Sequence, residues 1–557
     1  MKKTYARVLV ALLVTLIFGG LYFYLMLPAL NIYSQGFWVF MFLCVVCFAI
    51  TYTVLSFKKA AYVNKQKKHL NFEGRTITKA SLYIMIVPMI VLIVGSIFSS
   101  SFFNAESYAS VIEVPRAVFE EDMPENETVS NIALMDSATA QTMGKRTLGA
   151  LSDVVSQYEI SPSYSQINYN GTPQKVATLE YAGFFKWMSN SDSGIPGYVM
   201  VDPVKFTEAK YVKFDKPIKY TESGYFGDYL QRELRMSYPT KIFGSCSFEI
   251  DDKGNPYYIV SCMAPKVFMF GAMDVSEVII FDPVTGDSNI YDLKDVPSWV
   301  DNVFTGEAAC EKYDWYGMLK NGYWNSVVGN KDCVVTTDDF GYIVIDDDVW
   351  YFTGVTSVNS DESNIGFIIS NARTGEYKFY PVIGAEEYSA MKAAEGEVQE
   401  KGYVASFPSL INVSGEATYI MVLKDSGGLV KLYALVNVEK YNIVATATTQ
   451  ADAKKEYLKL LKQEGVLSNN GGESSAEPDA PKSEVTVSDI RFATLGGESV
   501  IYIGTSDGYL YKQTVSDDES VMLIKVGDAL EIYYDETDVE KIRQIDKWSF
   551  KKAEEAQ

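Results

Sequence analysis

Histidine is nearly missing from this chain of 557 residues, with His69 the single instance. Its scarcity excludes Ser-His-Asp and Cys-His hydrolase chemistry, histidine-ligated zinc and imidazole acid–base work from the rest of the sequence. His69 itself stands among lysines and reads as a solvated side chain. No phosphate-binding loop, dinucleotide-type glycine pattern or serine-lysine motif stands out. Charge is missing from three long apolar runs, residues 8–30, 37–57 and 80–103, which hold no Asp, Glu, Lys, Arg or His. A helix of roughly 20 such residues crosses about 30 Å of hydrocarbon, so each run predicts a spanning helix. A bundle without ionisable groups at membrane depth lacks what transporters, proton relays and channels use. Anchoring, or pairing with another membrane subunit, is the reading that remains.

The basic residues set an orientation. Lys2, Lys3 and Arg7 precede the first run, and Lys58, Lys59, Lys65, Lys67, Lys68, Arg75 and Lys79 lie between the second and third, whereas residues 31–35 carry none. The positive-inside rule places the N-terminus and the basic loop 58–79 in the cytoplasm and everything after the third run outside. A basic start also suits a cleaved signal peptide, but the first run is too long for one and a second follows almost at once. Pro88 predicts a kink of the kind membranes tolerate. The formal net charge is −22, and because the first 103 residues are basic the remainder sits near −31. So acidic a surface repels phosphate backbones and anionic headgroups, which excludes nucleic acid as a partner.

After residue 103 the pattern changes. Residues 106–128 read as an extended acidic connector, and residues 131–135 as a short strand leading to Asp136, a predicted N-cap for a helix from Ser137. Beyond Tyr158 come short strands rich in Tyr, Phe, Val and Ile, broken by Gly, Asp, Asn and Pro, which is the grammar of antiparallel sheet. A loose internal repeat runs through them. One copy joins strand 257–260 to Val278-Ile279-Ile280-Phe281, the turn Asp282-Pro283-Val284-Thr285-Gly286-Asp287, then Ile290-Tyr291 and Trp299. Another joins 350–353 to Gly366-Phe367-Ile368-Ile369, the turn Asn371-Ala372-Arg373-Thr374-Gly375-Glu376, Phe379-Tyr380 and a helix over 385–394. Two further copies, around Asp202-Pro203-Val204 with a helix near 226–234 and around strands 419–423 and 432–438 with a helix over 451–461, lack the Thr-Gly. The repeat spacing is irregular, which argues against a propeller. This strand, turn, strand and helix pattern resembles the PepSY-type repeat of bacterial envelope proteins. The resemblance implies hairpins covered by helices, and regulation through protein–protein contact, including restraint of peptidases.

Residues 464–484 turn to Ser, Asn, Gly, Glu and Pro and read as a flexible linker. Residues 485–550 then predict four or five strands, among them 499–504, 509–514, 522–525 and 529–534. A small β-barrel similar to an OB or SH3 fold follows, as a docking module.

Four cysteines lie outside the apolar runs. Cys246 and Cys262 flank the turn Asp252-Lys253-Gly254-Asn255, which predicts a cross-strand disulfide; Cys310 and Cys333 form a second candidate pair, and free buried thiols are the alternative. Cys44 and Cys47 fall within a membrane run and form no redox motif. Asp338-Asp339 and Asp346-Asp347-Asp348 offer carboxylates for Ca²⁺, but without an EF-hand pattern they read as solvated turns, so the metal is left unknown. Asn126, Asn170 and Asn412 stand in glycosylation sequons.

The expectation is a membrane-anchored α+β protein. Residues 1–103 form a three-helix anchor, 104–463 an extracytoplasmic repeat region of antiparallel sheets with helices, 464–484 a linker and 485–550 the barrel. It has no cofactor and no assigned catalytic residue, and it binds the lipid bilayer and an outer protein or cell-wall partner without itself being an enzyme. The alternative is a carboxylate-dependent enzyme acting on wall carbohydrate, which two acids in one deep cleft, one with a raised pKa, would favour.

Overall fold

A computed structural model describes residues 2–56, 75–125, 132–151, 154–204, 206, 209–337, 339–345, 348–358, 363–467, 481–495, 498–515, 519–536 and 541–551. Most of the basic loop 58–79, His69, Asn126, Asp338, Asp346, Asp347 and the centre of the linker lie outside these residues. The chain divides into two units, 1–457 and 458–557.

The first unit opens with α1 (Lys2–Met26), α2 (Gln35–Ser56) and α3 (Arg75–Phe98). Each is long and apolar enough to cross a membrane. Two of the predicted ends move inward. Leu27, with φ of 51°, and the following Pro28 stop α1 short of residue 30. Ser100 is extended and stops α3 at Phe98, because the Ser99 hydroxyl accepts the Met269 and Phe270 amides at 3.2 and 2.9 Å. The chain re-forms a helix as α4 (Ser101–Ala109), so the extended connector begins later than predicted. It carries one short turn, α5 (Phe119–Asp122). Arg116 bridges Phe379 in parallel, Glu125 bridges Asn412, and Phe119 and Met123 are buried. This connector is docked along the sheets.

Six further helices follow: α6 (Ser137–Gly149), α7 (Phe184–Asn190), α8 (Leu230–Ser237), α9 (Gly306–Leu319), α10 (Glu387–Glu397) and α11 (Gln450–Gln463). Asp136 caps α6 as predicted, accepting the Thr139 amide at 2.7 Å; residues 132–135 before it join no ladder. Between the helices, among the described residues, lie four antiparallel sheets of four or five strands and a two-stranded ladder of Ser363–Asn364 with Gly384–Ala385. The first has strands Tyr158–Ile160, Ser165–Tyr169, Thr172–Tyr181, Ile195–Val201 and Lys210–Ile218. The second has Ile242–Ile250, Pro256–Val267, Gly271–Phe281 and Ser288–Asp292. The third has Val334–Thr336, Gly341–Ile345, Asp348–Ser357, Gly366–Asn371 and Tyr377–Tyr380, and the fourth Val404–Ala405, Ser409–Val413, Glu416–Lys424, Val430–Asn437 and Val444–Ala447.

All four sheets share one plan. The leading strand is broken in the first, third and fourth, with both pieces paired to the same long strand, and in the second it is a single strand whose register shifts between Phe243 and Cys246. A Ser or Thr sits at each full break and reaches the long strand: the amides of Ser161, Thr337 and Ser406 donate to the carbonyls of Thr178, Gly354 and Val422 at 2.9, 2.9 and 2.8 Å. The turn before the last strand starts with Asp202, Asp282, Asn371 or Asn437, whose side chain accepts an amide two or three residues on, at 2.7 to 2.9 Å. The carbonyl of the very next residue then accepts amides from the segment that leads into a helix. Pro203 holds Leu134 and Met135 before α6, Pro283 holds Lys219 and Tyr220 before α8, Ala372 holds Val303 and Phe304 before α9, and Val438 holds Ala385 before α10. Each helix is therefore tied to the sheet that follows it in sequence. The sequence pattern put the helix at the end of each copy; the structural unit begins with it.

This layering covers the sheets on both faces. In the third, Val349, Tyr351 and Val355 share a core with Ala309 and Tyr313 of α9, while Phe352, Phe367 and Tyr380 face Ala390 and Ala394 of α10. Strands buried on both faces read as unbroken apolar runs, as Tyr419 to Leu423 of the fourth sheet do.

In the second unit, strands Lys482–Leu495, Glu498–Thr505, Leu510–Thr514, Ala529–Glu536 and Ile542–Phe550 pair in a closed ring. Of residues 522–525, predicted as a strand, Met522 and Leu523 end a short 3₁₀ turn, Glu519–Leu523, and the next two join no strand. The one parallel seam, Leu510–Thr514 with Ile542–Phe550, is pinned by Arg543, which lies 3.4 Å from the Tyr509 ring centroid and 3.9 Å from that of Tyr534.

Two predictions follow from the turns and the layers. Asp282→Ala removes the acceptor of the Val284 and Thr285 amides and of the Thr285 hydroxyl, and is expected to lower stability by about 1–2 kcal/mol, read as a drop in the thermal midpoint. Glu387 is buried at the start of α10, bonded to Gly354 N at 2.7 Å and to the Thr337 hydroxyl at 3.1 Å. Burial pushes its carboxyl up to about 7 from 4.5. The folded protein thus holds this proton more tightly than the unfolded chain, so its contribution is complete below pH 4.5 and is lost as pH rises toward 7. Glu387→Gln, which mimics the protonated form, is expected to gain ~3 kcal/mol over its parent across that window at about 1.4 kcal/mol per unit. Parallel pH–stability curves would contradict it.

Candidate functional site

The break in the leading strands opens a polar pocket. Pro162 interrupts the first sheet between Ile160 and Ser165, and the register shift at Gly244 and Ser245 displaces the second sheet beside it. A cavity of about 560 Å³ results, walled by these two sheets, by Ser137 at the start of α6, by residues 302–307 before and at the start of α9, and by Tyr342 and Tyr351 of the third sheet. The lining is rich in hydroxyls and acids: Ser161, Ser163, Ser165, Ser245, Ser247, Tyr164 and Tyr258 with Glu180, Glu222 and Glu307.

The floor is held rigidly. Glu249, buried, accepts the Asp301 and Asn302 amides at 2.9 and 2.8 Å and the Asn302 side-chain amide at 2.9 Å. Asn302 in turn donates to the Gln166 carbonyl at 2.9 Å, and Asp301 accepts the Asn168 amide at 2.7 Å. Burial raises the Glu249 carboxyl despite these donors. The ring hydroxyl of Tyr164, packed under α6 against Gly144, and the side-chain nitrogen of Gln166 are buried without a protein hydrogen-bond partner.

Two carboxyls face this space and influence each other. Burial raises Glu180, opposed by a hydrogen bond from Ser161 and reinforced by the charge of Glu159. Burial also raises Glu222, which is bonded to Gln231 and Cys246 and repelled by Glu180. Lys175 is buried beside Ser137, 5.0 Å above the Tyr342 ring, and burial pushes its ammonium down to about 8 against the opposing charge of Asp136. Low dielectric and like charge together shift both carboxyls toward their protonated forms. Such a wall donates as well as accepts hydrogen bonds.

The cysteines are free thiols. The predicted pairing of Cys246 with Cys262 fails on register: Cys246 stands opposite Val260, and Cys262 opposite Phe243, because the bulge slips the arms. Cys310 lies on α9 and Cys333 just before the third sheet, where its sulfur accepts from Asn325 at 3.2 Å. Burial pushes Cys246 well above its ordinary range and lifts Cys262 to about 11 and Cys310 to about 12. None is a nucleophile at neutral pH. Of the acidic clusters, Asp339 accepts its neighbour's amide, while Asp348 takes Arg373 through both oxygens at 2.8 and 2.7 Å and Asn371 at 2.8 Å. Among the described residues no group of three or more His, Cys, Asp or Glu could hold a metal ion. Asn412 is buried with both side-chain atoms engaged, whereas Asn170 lies in a hairpin turn.

Glu180 and Glu222 were not legible in the sequence. They stand in different sheets' surroundings, and no spacing rule relates them; the Ser161-Pro162 break was the only local signal. No protein-family model matches this chain, and no curated protein matches its sequence.

Alkylation in denaturant without reductant is expected to label all six cysteines, read by intact mass. In the folded protein at pH 8, Cys246, Cys262 and Cys310 are expected to react far more slowly than a free thiol. A mass short by two or more labels would restore a disulfide.

Proposed function

We propose that this chain is a non-enzymatic binding protein of the cell envelope, anchored by α1, α2 and α3 and holding its sheet repeats outside the cytoplasm. The basic residues on one side of the apolar runs support that orientation. The sheets meet the helices at the opposite end: Asn31 donates to the Thr240 carbonyl at 2.9 Å, and Ser99 takes the Met269 and Phe270 amides. On this reading the repeats are PepSY-like modules and the second unit is a small docking barrel of OB or SH3 type.

The observation that carries the binding role is the polar pocket beside Glu180 and Glu222. Its lining can hydrogen-bond a polyhydroxylated or amine-bearing wall fragment from several sides. It offers no activated nucleophile, since its cysteine is a protonated, buried thiol and histidine is missing there. One observation favours the alternative of a carboxylate-dependent carbohydrate enzyme: both acids open on one cavity with raised pKa values. Glycoside hydrolysis needs one such acid beside a second, ionised carboxylate. Elevation of both by burial fits binding better.

Solubilised wall fragments titrated into the detergent-purified full chain test the two readings together. The binding reading expects calorimetric uptake that weakens about tenfold, ~1.4 kcal/mol, in Glu180→Ala with Glu222→Ala, and fragments recovered unchanged by mass spectrometry. Cleaved products that vanish in the double variant would establish the enzyme instead. Unaltered affinity in that variant would remove the pocket from the account.

A further inference from the structure

Large apolar side chains scattered singly on a surface need no explanation, but a contiguous exposed patch does. Two such patches flank the helix bundle at the end where the sheets begin. On the α3 side, Phe102, Phe103, Phe268, Trp324 and Val328 are all exposed, Trp324 at 67% and Val328 at 77%. They continue directly from the apolar helix: Phe98, its last residue, lies 6.2 Å from Phe268 between ring centroids, and Phe102 lies 5.8 Å from Trp324. Phe270, beside Phe268 in the same hairpin tip, packs so closely on Gly95 that no side chain fits there. That tip thus reaches back alongside the last turn of α3.

On the α1 side the same arrangement recurs with different residues. Phe184 and Phe185 of α7 and Phe226 are exposed, and Phe184 and Phe226 each lie 5.7 Å from the Trp187 ring. This cluster is fastened to the last turn of α1 by Arg232, whose guanidinium sits 4.2 Å from the Tyr24 ring and donates to the carbonyls of Tyr24 and Phe226. Exposed phenylalanines gathered round a tryptophan, with an arginine at one helix end, suit a membrane interface.

We propose that the outer region lies down on the bilayer, with both aromatic patches inserted among the lipid headgroups and upper acyl chains around the bundle. The occupant of these patches is lipid, because both are continuous with helix surface that is itself apolar and exposed. The inference rests on the membrane reading above and adds a second mode of contact to it. A tethered domain would float on its linker; this one is held at a fixed height and tilt.

The full chain reconstituted into nanodiscs, whose lipids carry bromine high on the acyl chain, provides the test through quenching of tryptophan fluorescence. Trp38, near the start of α2, reports insertion of the bundle. The expectation is that Trp38→Phe, Trp324→Phe and Trp187→Phe each lower the quenchable signal by a comparable share, relative to unbrominated discs. A loss with Trp38→Phe alone would overturn the inference and leave the anchor standing; the patches would then belong to a protein partner. No loss with Trp38→Phe would overturn the membrane reading and this inference with it.

Discussion

A single peptide carbonyl in each repeat sets the geometry on which everything else in the outer region rests. An Asp or Asn side chain folds the turn before the last strand, and the next carbonyl is thereby aimed at the segment that leads into a helix. In three of the four repeats it accepts two amides, using both lone pairs of one oxygen. Those amides cannot be left bare in so buried a place, so the helix has one seat. The contact is made by backbone, which explains why Pro203, Pro283, Ala372 and Val438 can differ so widely in side chain.

The pocket arises as a by-product of the same plan. Each leading strand is broken or bulged, and what fills the gap decides what the repeat can do. In the third sheet the carboxyl of Glu387 enters the gap and bonds Thr337 and Gly354, so the space is closed and structural. In the first and second sheets the acids stand beside the gap, and a cavity stays open. One architectural element thus gives a plug in one copy and a binding wall in another.

The sequence made the large divisions legible because they follow from strong, local physics. Twenty uncharged apolar residues have few alternatives to a spanning helix, and Asp136 before Ser137 had the chemistry of a cap. The turns at Asp282 and Asn371 were readable for the same reason, since Gly286 and Gly375 take φ of 85° and 74°. What stayed hidden depends on partners far along the chain. Asn437 makes the same turn without Thr-Gly, and Ser161, Thr337 and Ser406 are unremarkable until their strands are paired. The disulfide prediction failed on a bulge that no residue type announces. The acidic segment read as an extended connector because Phe119 and Met123 reveal their burial only against the third and fourth sheets.

The order of helix and sheet within a repeat bears on how the protein is made. A chain made from its N-terminus presents each of these helices before the strands that receive it. When the last strand of a repeat forms, its carbonyl finds the helix already waiting; the other face is covered next, as α10 and Glu387 cover the third sheet. The first helix is the exception, because the Asp136 that caps it also pairs with Lys424 of the fourth sheet. Assembly can thus advance layer by layer along the chain, with one late ionic latch that joins the beginning to the end.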